Sequence, residues 1–362
     1  DPQVHAQAHA VFEPMETASL FADHNEFTLY TWSDQGCCLP KGATDATLVG
    51  FHPDLKPGRV LFFEEVLSPK TGRSEDADPK HRWPVRLTFV HVRDEFNQPL
   101  VDPLTSQQIT QIAWSEADAL PFPFCISAHT DKAHGAAFIG NVTRVRGNIV
   151  LADHGATISG EELGTVGPSL PVPPSRTGCD RCNPADSEPI APTFRPAIAR
   201  SPLTFATGHD GQRPASAAMV WSVRDAQPKI TVTGIFQGAP TTWEARPDLL
   251  LSAVDDPHFV VEIEHDGETQ LRFGDGKLGQ RPNSATTFTA RYRVGNGVAG
   301  NIGAESLAHF HTTNALLAAA VIEIRNPLPA LGGAEPESVE QVRAYAPVAY
   351  RTQRRAVTEA DY

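Results

Sequence analysis

Nine of the 35 residues from Pro168 to Pro202 are proline, and almost no periodic apolar pattern runs between them. Proline has no amide N–H to give to a ladder, and it holds the residue before it in extended conformations. Neither a helix nor a central strand can run through such a stretch. It reads as a long irregular connection that divides the 362 residues into two parts, each of which has to bury a core of its own.

The part before the connection alternates. EFTLYTW (26–32) sets Phe27, Leu29 and Thr31 against Thr28, Tyr30 and Trp32, and RVLFFEEV (59–66) is a more continuous apolar run. VRLTFVHVRDE (85–95) puts Val85, Leu87, Phe89 and His91 on one side, and ITQIAW (109–114) and NIVLAD (148–153) are further strand candidates. Period-two alternation between turn residues is the pattern of half-buried strands. After the connection, VVEIEHDGETQLRF (260–273) reads as a hairpin about Asp266-Gly267, a pair suited to a type I′ turn. TTFTARYRV (286–294) would extend it to a meander, and AVIEI (320–324) would add another strand.

Helix is predicted only near the C-terminus. Glu335-Pro336-Glu337 suits a first helical turn, and Val339, Val342 and Ala346 then recur at helical spacing until Pro347 ends the run. Thr358-Glu-Ala-Asp361 has the form of a capping box opening a further helix. A sequence that stops there, and that opens DPQVHAQAH with neither an initiator Met nor a signal pattern, is expected to be a piece of a longer chain. The expected fold class is β-rich α+β: two antiparallel-β domains joined by a long Pro-rich connection, with a short C-terminal helical segment. The divisions are an N-terminal β-rich domain at 1–166, the connection at 167–215, a second β-rich domain at 216–330 and the helical segment at 331–362.

Composition excludes several classes. With 43 acidic against 30 basic residues the net charge is −13, which opposes binding to phosphate backbones, so no nucleic-acid partner is expected. The longest nearly unbroken apolar run, ALLAAAVIEI (315–324), is about half the ~20 residues that a membrane-spanning helix needs. The five cysteines, Cys37, Cys38, Cys125, Cys179 and Cys182, are too few and odd in number for a disulfide scaffold, so a reducing cytoplasm is expected. Cys125, set among Phe and Pro, reads as an inert apolar thiol.

Gly274-x-Gly276-x-x-Gly279 has the spacing of a dinucleotide-binding turn. That chemistry needs a helix N-terminus to receive the pyrophosphate, but here Gln-Arg-Pro-Asn-Ser and a β pattern follow. Gly274, Asp275, Gly276 and Gly279 are therefore read as a structural turn, the glycines reversing the strand through positive φ, and no cofactor is expected. Gly295, Gly297, Gly300 and Gly303 would turn the next corner. Cys179-Asp-Arg-Cys182 has the spacing of half a zinc site, but no second pair stands nearby. Asp76, Asp78 and His81 could gather a divalent ion, yet they sit in a polar loop where Asp and Pro are ordinary turn formers. Asp153-His154-Gly155 reads as a strand end entering a turn, and His309 and His311 would share a strand face without a third ligand. No G-x-S-x-G or H-E-x-x-H pattern occurs, so no catalytic residue is assigned.

Several blocks together resemble one family. LRFGDGKLGQRP, TARYRVGNGVAGNIGA, NPLPALGGAEPESVEQVRAYAP and the closing RRAVTEADY are similar to the baseplate J-like proteins, inner wedge subunits of contractile phage tails and related injection systems. LYTWSDQGCCLPKGAT, DADPKHRWPVRLT, ALPFPFCIS and NIVLADHG are similar to the branch described as baseplate assembly proteins. The resemblance implies a non-catalytic subunit, made in the cytoplasm and then part of the particle. Copies would pair within a wedge and, with a second wedge protein, ring a spike hub beneath the sheath. Gly274, Asp275, Gly276 and Gly279 would form the family's turn, and Arg355, Ala356, Val357, Thr358 and Asp361 would open its next helix. Cys179 and Cys182 fall outside the pattern. Loops such as 167–202 would then order by lying against another chain. Two other readings stay open: a glycan- or peptide-binding β module, and a metal hydrolase built on Asp76, Asp78, His81 and the cysteines.

Overall fold

A computed structural model of the chain describes residues 10–170, 190–264, 267–295 and 297–351, with side chains as far as 347. Strands dominate it and fall into two main sheets, each with its own core.

In the first part, strands β1 (Asp45–Val49), β2 (Val60–Glu65), β3 (Arg82–His91), β4 (Ile109–Trp114) and β5 (Thr143–Arg146) form an antiparallel sheet in the order β5-β2-β3-β4-β1. Residues 27–30 pair with both of its edges. Phe27 bridges Val145 of β5 and Leu29 bridges Leu48 of β1, while the Tyr30 N–H donates to Thr47 O at 2.8 Å. The sheet is thereby closed into a barrel. Its interior is filled by the inward halves of the alternating strands, among them Leu48, Phe63, Val85, Leu87, Ile112 and Trp114. The stretch 26–32 is thus not a uniform strand, because it changes partner within three residues and ends at Trp32 and Ser33, whose φ values are +54° and +67°. β2 is buried on both faces, which explains its continuous apolar pattern: Phe63 points into the barrel, and Glu64 lies beneath the arm that returns from residues 305–327.

The second sheet contains β6 (Ala156–Thr165), β7 (Ile230–Phe236), β8 (Ala239–Arg246), β9 (His258–Ile263), β10 (Thr269–Phe273) and β11 (Thr287–Val294), in the order β6-β11-β7-β8-β9-β10. All neighbours are antiparallel except β8 and β9. The hairpin expected at 260–273 is present as β9–β10, with Gly267 at φ +84°. The expected meander is not, because the chain leaves β10 through the glycine bend and lays β11 between β6 and β7 at the other end of the sheet. β6 belongs to this sheet, so the boundary drawn at residue 166 falls one strand too late.

The Pro-rich connection is partly used by the chain itself. Pro196 O accepts the Leu271 N–H at 2.9 Å, and the Ile198 N–H donates to Thr269 O at 3.0 Å, which covers the outer edge of β10. Proline is tolerated there because only its carbonyl is needed. Phe194 stacks on Phe288 and Phe273, with ring centroids 5.4 and 5.9 Å apart, joining an aromatic core completed by Trp243. Residues 190–198 are thus ordered against the chain's own second sheet.

Three other expectations change. Residues 320–324 are not a strand: Ala315–Ala320 form a short helix, α1, capped by the Asn314 side chain, since Ala and Leu are the strongest helix formers. The C-terminal helix α2 (Val339–Arg351) runs through Pro347 instead of ending there. Proline's fixed φ is helical, so the cost is the lost N–H donor and crowding of the preceding turn. Arg355, Ala356, Val357, Thr358 and Asp361 lie outside the described residues. Finally, Cys125 is not a free thiol. A two-residue ribbon sets Cys38 opposite Cys125, and they form a disulfide closing a sequence separation of 87, which on chain entropy alone is worth about 4–5 kcal/mol. Cys37 keeps its thiol, whose pKa burial pushes up.

The two parts meet over buried carboxylates. Asp118 is fully buried; its Oδ2 accepts the N–H groups of Arg86 and Ala215, both at 2.9 Å, and its Oδ1 accepts that of Ser216 at 2.8 Å. Ala215 opens a 3-10 turn at the end of the connection, so this side chain ties the start of the second part to β3. Leaving such donors unpaired costs about 1–3 kcal/mol each. Asp118→Ala is therefore expected to lower the unfolding free energy by about 3 kcal/mol or more, with Asp118→Asn costing less, as measured by denaturant titration.

Candidate functional site

The glycine bend follows directly from β10, whose Leu271 and Phe273 are held in the second core. Gly276 and Gly279 take positive φ values of +80° and +78°, as expected. Gly274 does not, and its requirement is closeness: a Cβ built there would overlap the Gly279 carbonyl and lie 2.7 Å from Gln280 O. The Asp275 carboxylate turns back into the bend, where its Oδ1 accepts the N–H groups of Lys277 at 2.8 Å and Leu278 at 2.9 Å. Those two bonds hold its pKa below the usual carboxylate range. The Gly276 N–H goes to Gly279 O at 3.0 Å, and the Gln280 N–H to Asp256 O at 2.7 Å.

This arrangement decides what the bend can bind. A phosphate-binding loop offers free backbone N–H groups backed by a helix dipole. Here four N–H groups already have acceptors within the chain, and Asp275 sits where an anion would. No helix starts on the bend, and the next regular element is β11. The four residues hold backbone geometry.

The bend in turn supports a surface. Loop 249–256 lies over it, with Leu249 buried beside Gly279. Leu250, Leu251, Val254 and Leu278 all point outward, Leu251 at 98 % exposure, with Asp248, Asp255 and Asp275 also exposed around them.

The other sequence candidates separate. His81 Nδ1 lies 2.7 Å from Glu65 Oε2, Glu65 Oε1 accepts the Asp78 N–H at 2.9 Å, and the His81 ring stacks on Phe122. Asp76 turns away to accept from the Thr71 hydroxyl at 2.7 Å, and Asp78 Oδ2 is 3.9 Å from His81 Nε2. This cluster fastens a loop to the barrel. Asp153 pairs with Arg293, whose Nη2 also donates to Gly155 O at 2.8 Å, so Asp153-His154-Gly155 is a joint between the two parts. His309 and His311 lie on an irregular leg, not a strand, and Cys179 and Cys182 fall outside the described residues. Among the described residues no group of three or more His, Cys, Asp or Glu side chains is gathered as a metal ion would need, and no helix is long and apolar enough to cross a membrane.

Sequence reasoning missed Glu64. Buried in β2, it meets Arg82 at 3.1 Å and Arg325, with Arg146 Nε 3.6 Å away. Arg82 also pairs with Glu305 at 3.0 Å and donates to Pro327 O at 2.7 Å. This network docks the arm at 305–327 on the barrel. The only signal was a pair of glutamates ending an apolar strand, FFEE, which implies partners without naming them.

Two histidines, His24 buried and His154 half-buried, make the fold sensitive to acid. His24 is 3 % exposed between Phe21 and Phe27, and its Nε2 has no hydrogen-bond partner. Burial foremost pushes its pKa below 6.5, helped by Arg59 and His52 against Asp23 and Asp54. His154 is lowered too, by burial and then by Arg293, against Asp153. Both take up protons more readily unfolded than folded, so their contribution is complete above pH 6.5 and is lost as pH falls below it. Gly274→Ala is expected to cost about 4 kcal/mol or more and Gly276→Ala only about 1, by denaturant titration. Unfolding free energy should fall as pH drops below 6.5, with a shallower slope in a His24→Gln, His154→Gln double variant.

No protein-family model matches the chain and no curated protein is detectably similar to it, so its role has to be read from its own residues.

Proposed function

We propose that the chain is a non-catalytic structural subunit of the baseplate wedge in a contractile, phage-tail-like injection particle. It would be made in the cytoplasm, stand in the inner ring around the spike hub, and help carry the rearrangement linked to sheath contraction. The resemblance of its ordered sequence blocks to the baseplate J-like proteins supplies this reading. One structural observation carries it: large apolar side chains stand almost fully exposed in three separate places, at Leu104 (92 %), Leu251 (98 %) and Ile322 (98 %). Single exposed apolar residues are ordinary, but grouped ones mark contact surfaces. A subunit held between several neighbours needs several such surfaces. The polar chemistry points the same way, since the glycine bend, Glu65 and Asp118 are satisfied by the chain itself.

Its partners would be a second wedge protein, further copies of itself, and the proteins of the hub and the sheath-proximal baseplate. Electron microscopy of particles purified from the producing cells tests this directly. The expected outcome is this chain in a sixfold ring beneath the sheath, with tagged copies labelling that ring. Particles that lack the chain would overturn the proposal. A stoichiometric divalent ion in the purified protein would revive the hydrolase reading, and a specific hit on a glycan array would revive the binding module.

A further inference from the structure

The Cys38–Cys125 bond is unexpected in a chain made, as proposed above, in the cytoplasm, where thiols are kept reduced and disulfides are mostly transient or redox-sensing. The ribbon that carries it has other fastenings. Cys37 O accepts the Ile126 N–H at 2.8 Å and the Ser127 N–H at 3.2 Å, and the Thr143 hydroxyl donates to Cys125 O at 2.7 Å. The Ser127 hydroxyl accepts the Cys37 N–H at 3.2 Å and donates to Asp34 O at 3.1 Å. On the inward side Phe124 is fully buried, with Leu39 and Cys37 packed against the barrel core. Cys38 faces the other way and is exposed, with Cys125 half-buried beneath it. The sulfur–sulfur bond thus lies on the solvent side of a ribbon already held by backbone bonds and apolar packing. Cys37 is held back, because successive strand residues point to opposite faces. Burial, and then Asp34, push its pKa up, so it stays a weakly nucleophilic thiol at neutral pH.

We propose that Cys38 and Cys125 form a reversible thiol–disulfide switch, open while the chain folds in a reducing compartment and closed once it meets oxidising surroundings. The change of compartment rests on the assembly reading above. Closure needs only a small-molecule disulfide such as oxidised glutathione. The exposed Cys38 thiolate attacks one of its sulfurs, forming a mixed disulfide and releasing one glutathione. The Cys125 thiolate then attacks Cys38 Sγ, forming the protein bond and releasing the second glutathione. Two protein thiols are oxidised, one glutathione disulfide is reduced, and the two protons end on the two glutathione thiols. What the closed bond adds is a tether for residues 31–42, which run exposed from Trp32 to Gly36 and again from Pro40 to Gly42. Opening it leaves the barrel folded and frees this loop.

Glutathione redox buffers test the switch on the purified protein, with free thiols trapped by N-ethylmaleimide and located by peptide mass spectrometry. Cys38 and Cys125 should titrate together and reversibly while the far-UV circular dichroism stays unchanged. Trypsin should cut after Lys41 at least about fivefold faster in the reduced form, because the loop then opens locally without global unfolding. Cys38→Ser, at an exposed position, should be cut at the fast rate with or without oxidant, whereas Cys37→Ser should leave the titration where it was. A bond that resists excess dithiothreitol under native conditions, a fold lost on opening, or a cleavage rate indifferent to the bond would overturn the proposal. So would a link made through Cys37. In producing cells lysed directly into N-ethylmaleimide both cysteines should be alkylated, and in released particles they should be joined; a bond already closed in the cells would overturn it too. A reversible titration in a chain found in no particle would refute the assembly role alone, whereas particles carrying a bond that never exchanges would refute the switch alone.

Discussion

A fully buried carboxylate, Asp118, governs how the two parts of this chain meet. A charge taken out of water is tolerated only if hydrogen bonds replace its hydration, and three backbone N–H groups do so here. That requirement fixes the start of the second part, at Ala215 and Ser216, against the middle of β3. The Arg86 guanidinium then reaches across, donating to Arg213 O at 2.7 Å and Gly58 O at 2.8 Å. Glu64 plays the matching part for the returning arm through Arg82 and Arg325. The second part is thus held near both of its ends by acids belonging to the barrel. Apolar burial builds each core, and the join between them is polar.

The strands that sequence alternation located are those with one face in a core and one in solvent. β4 and β11 match to within a residue, because nothing but the core decides which side chains turn inward. Alternation fails where another constraint takes over. Residues 26–32 alternate correctly yet divide their pairing between two strands, and no local pattern encodes which strands those are. β6 went to the wrong part because it follows the barrel in sequence but pairs more than 120 residues away with β11. The Cys38–Cys125 bond was hidden for the same reason, since only the barrel brings the two residues opposite each other. At the candidate sites, the glycine bend was legible because a missing helix start shows in sequence. Glu65 was not, because a pair of acids at a strand end gives no hint of the histidine that one of them will hold.

The bend at 274–280 shows how a motif loses one meaning and keeps another. Its spacing of small residues is what close approach of two backbones demands, and many ligands exploit that approach. With Asp275 folded inward the chain supplies its own anion, and what remains is a rigid corner that carries loop 249–256 outward. Shape is thereby transmitted from the second core to an aliphatic surface with little freedom to rearrange.

The doubly paired stretch at 27–30 has a consequence for how the chain behaves at high concentration. Copies held side by side at high local concentration are where unsatisfied strand margins would zip together without limit. The seam through Phe27 and Leu29 covers part of both edges of the barrel sheet, and Pro196 to Ile198 shield one flank of the other sheet. Along these stretches another chain would find side chains in place of free backbone groups, so edge-to-edge polymerisation is blocked there.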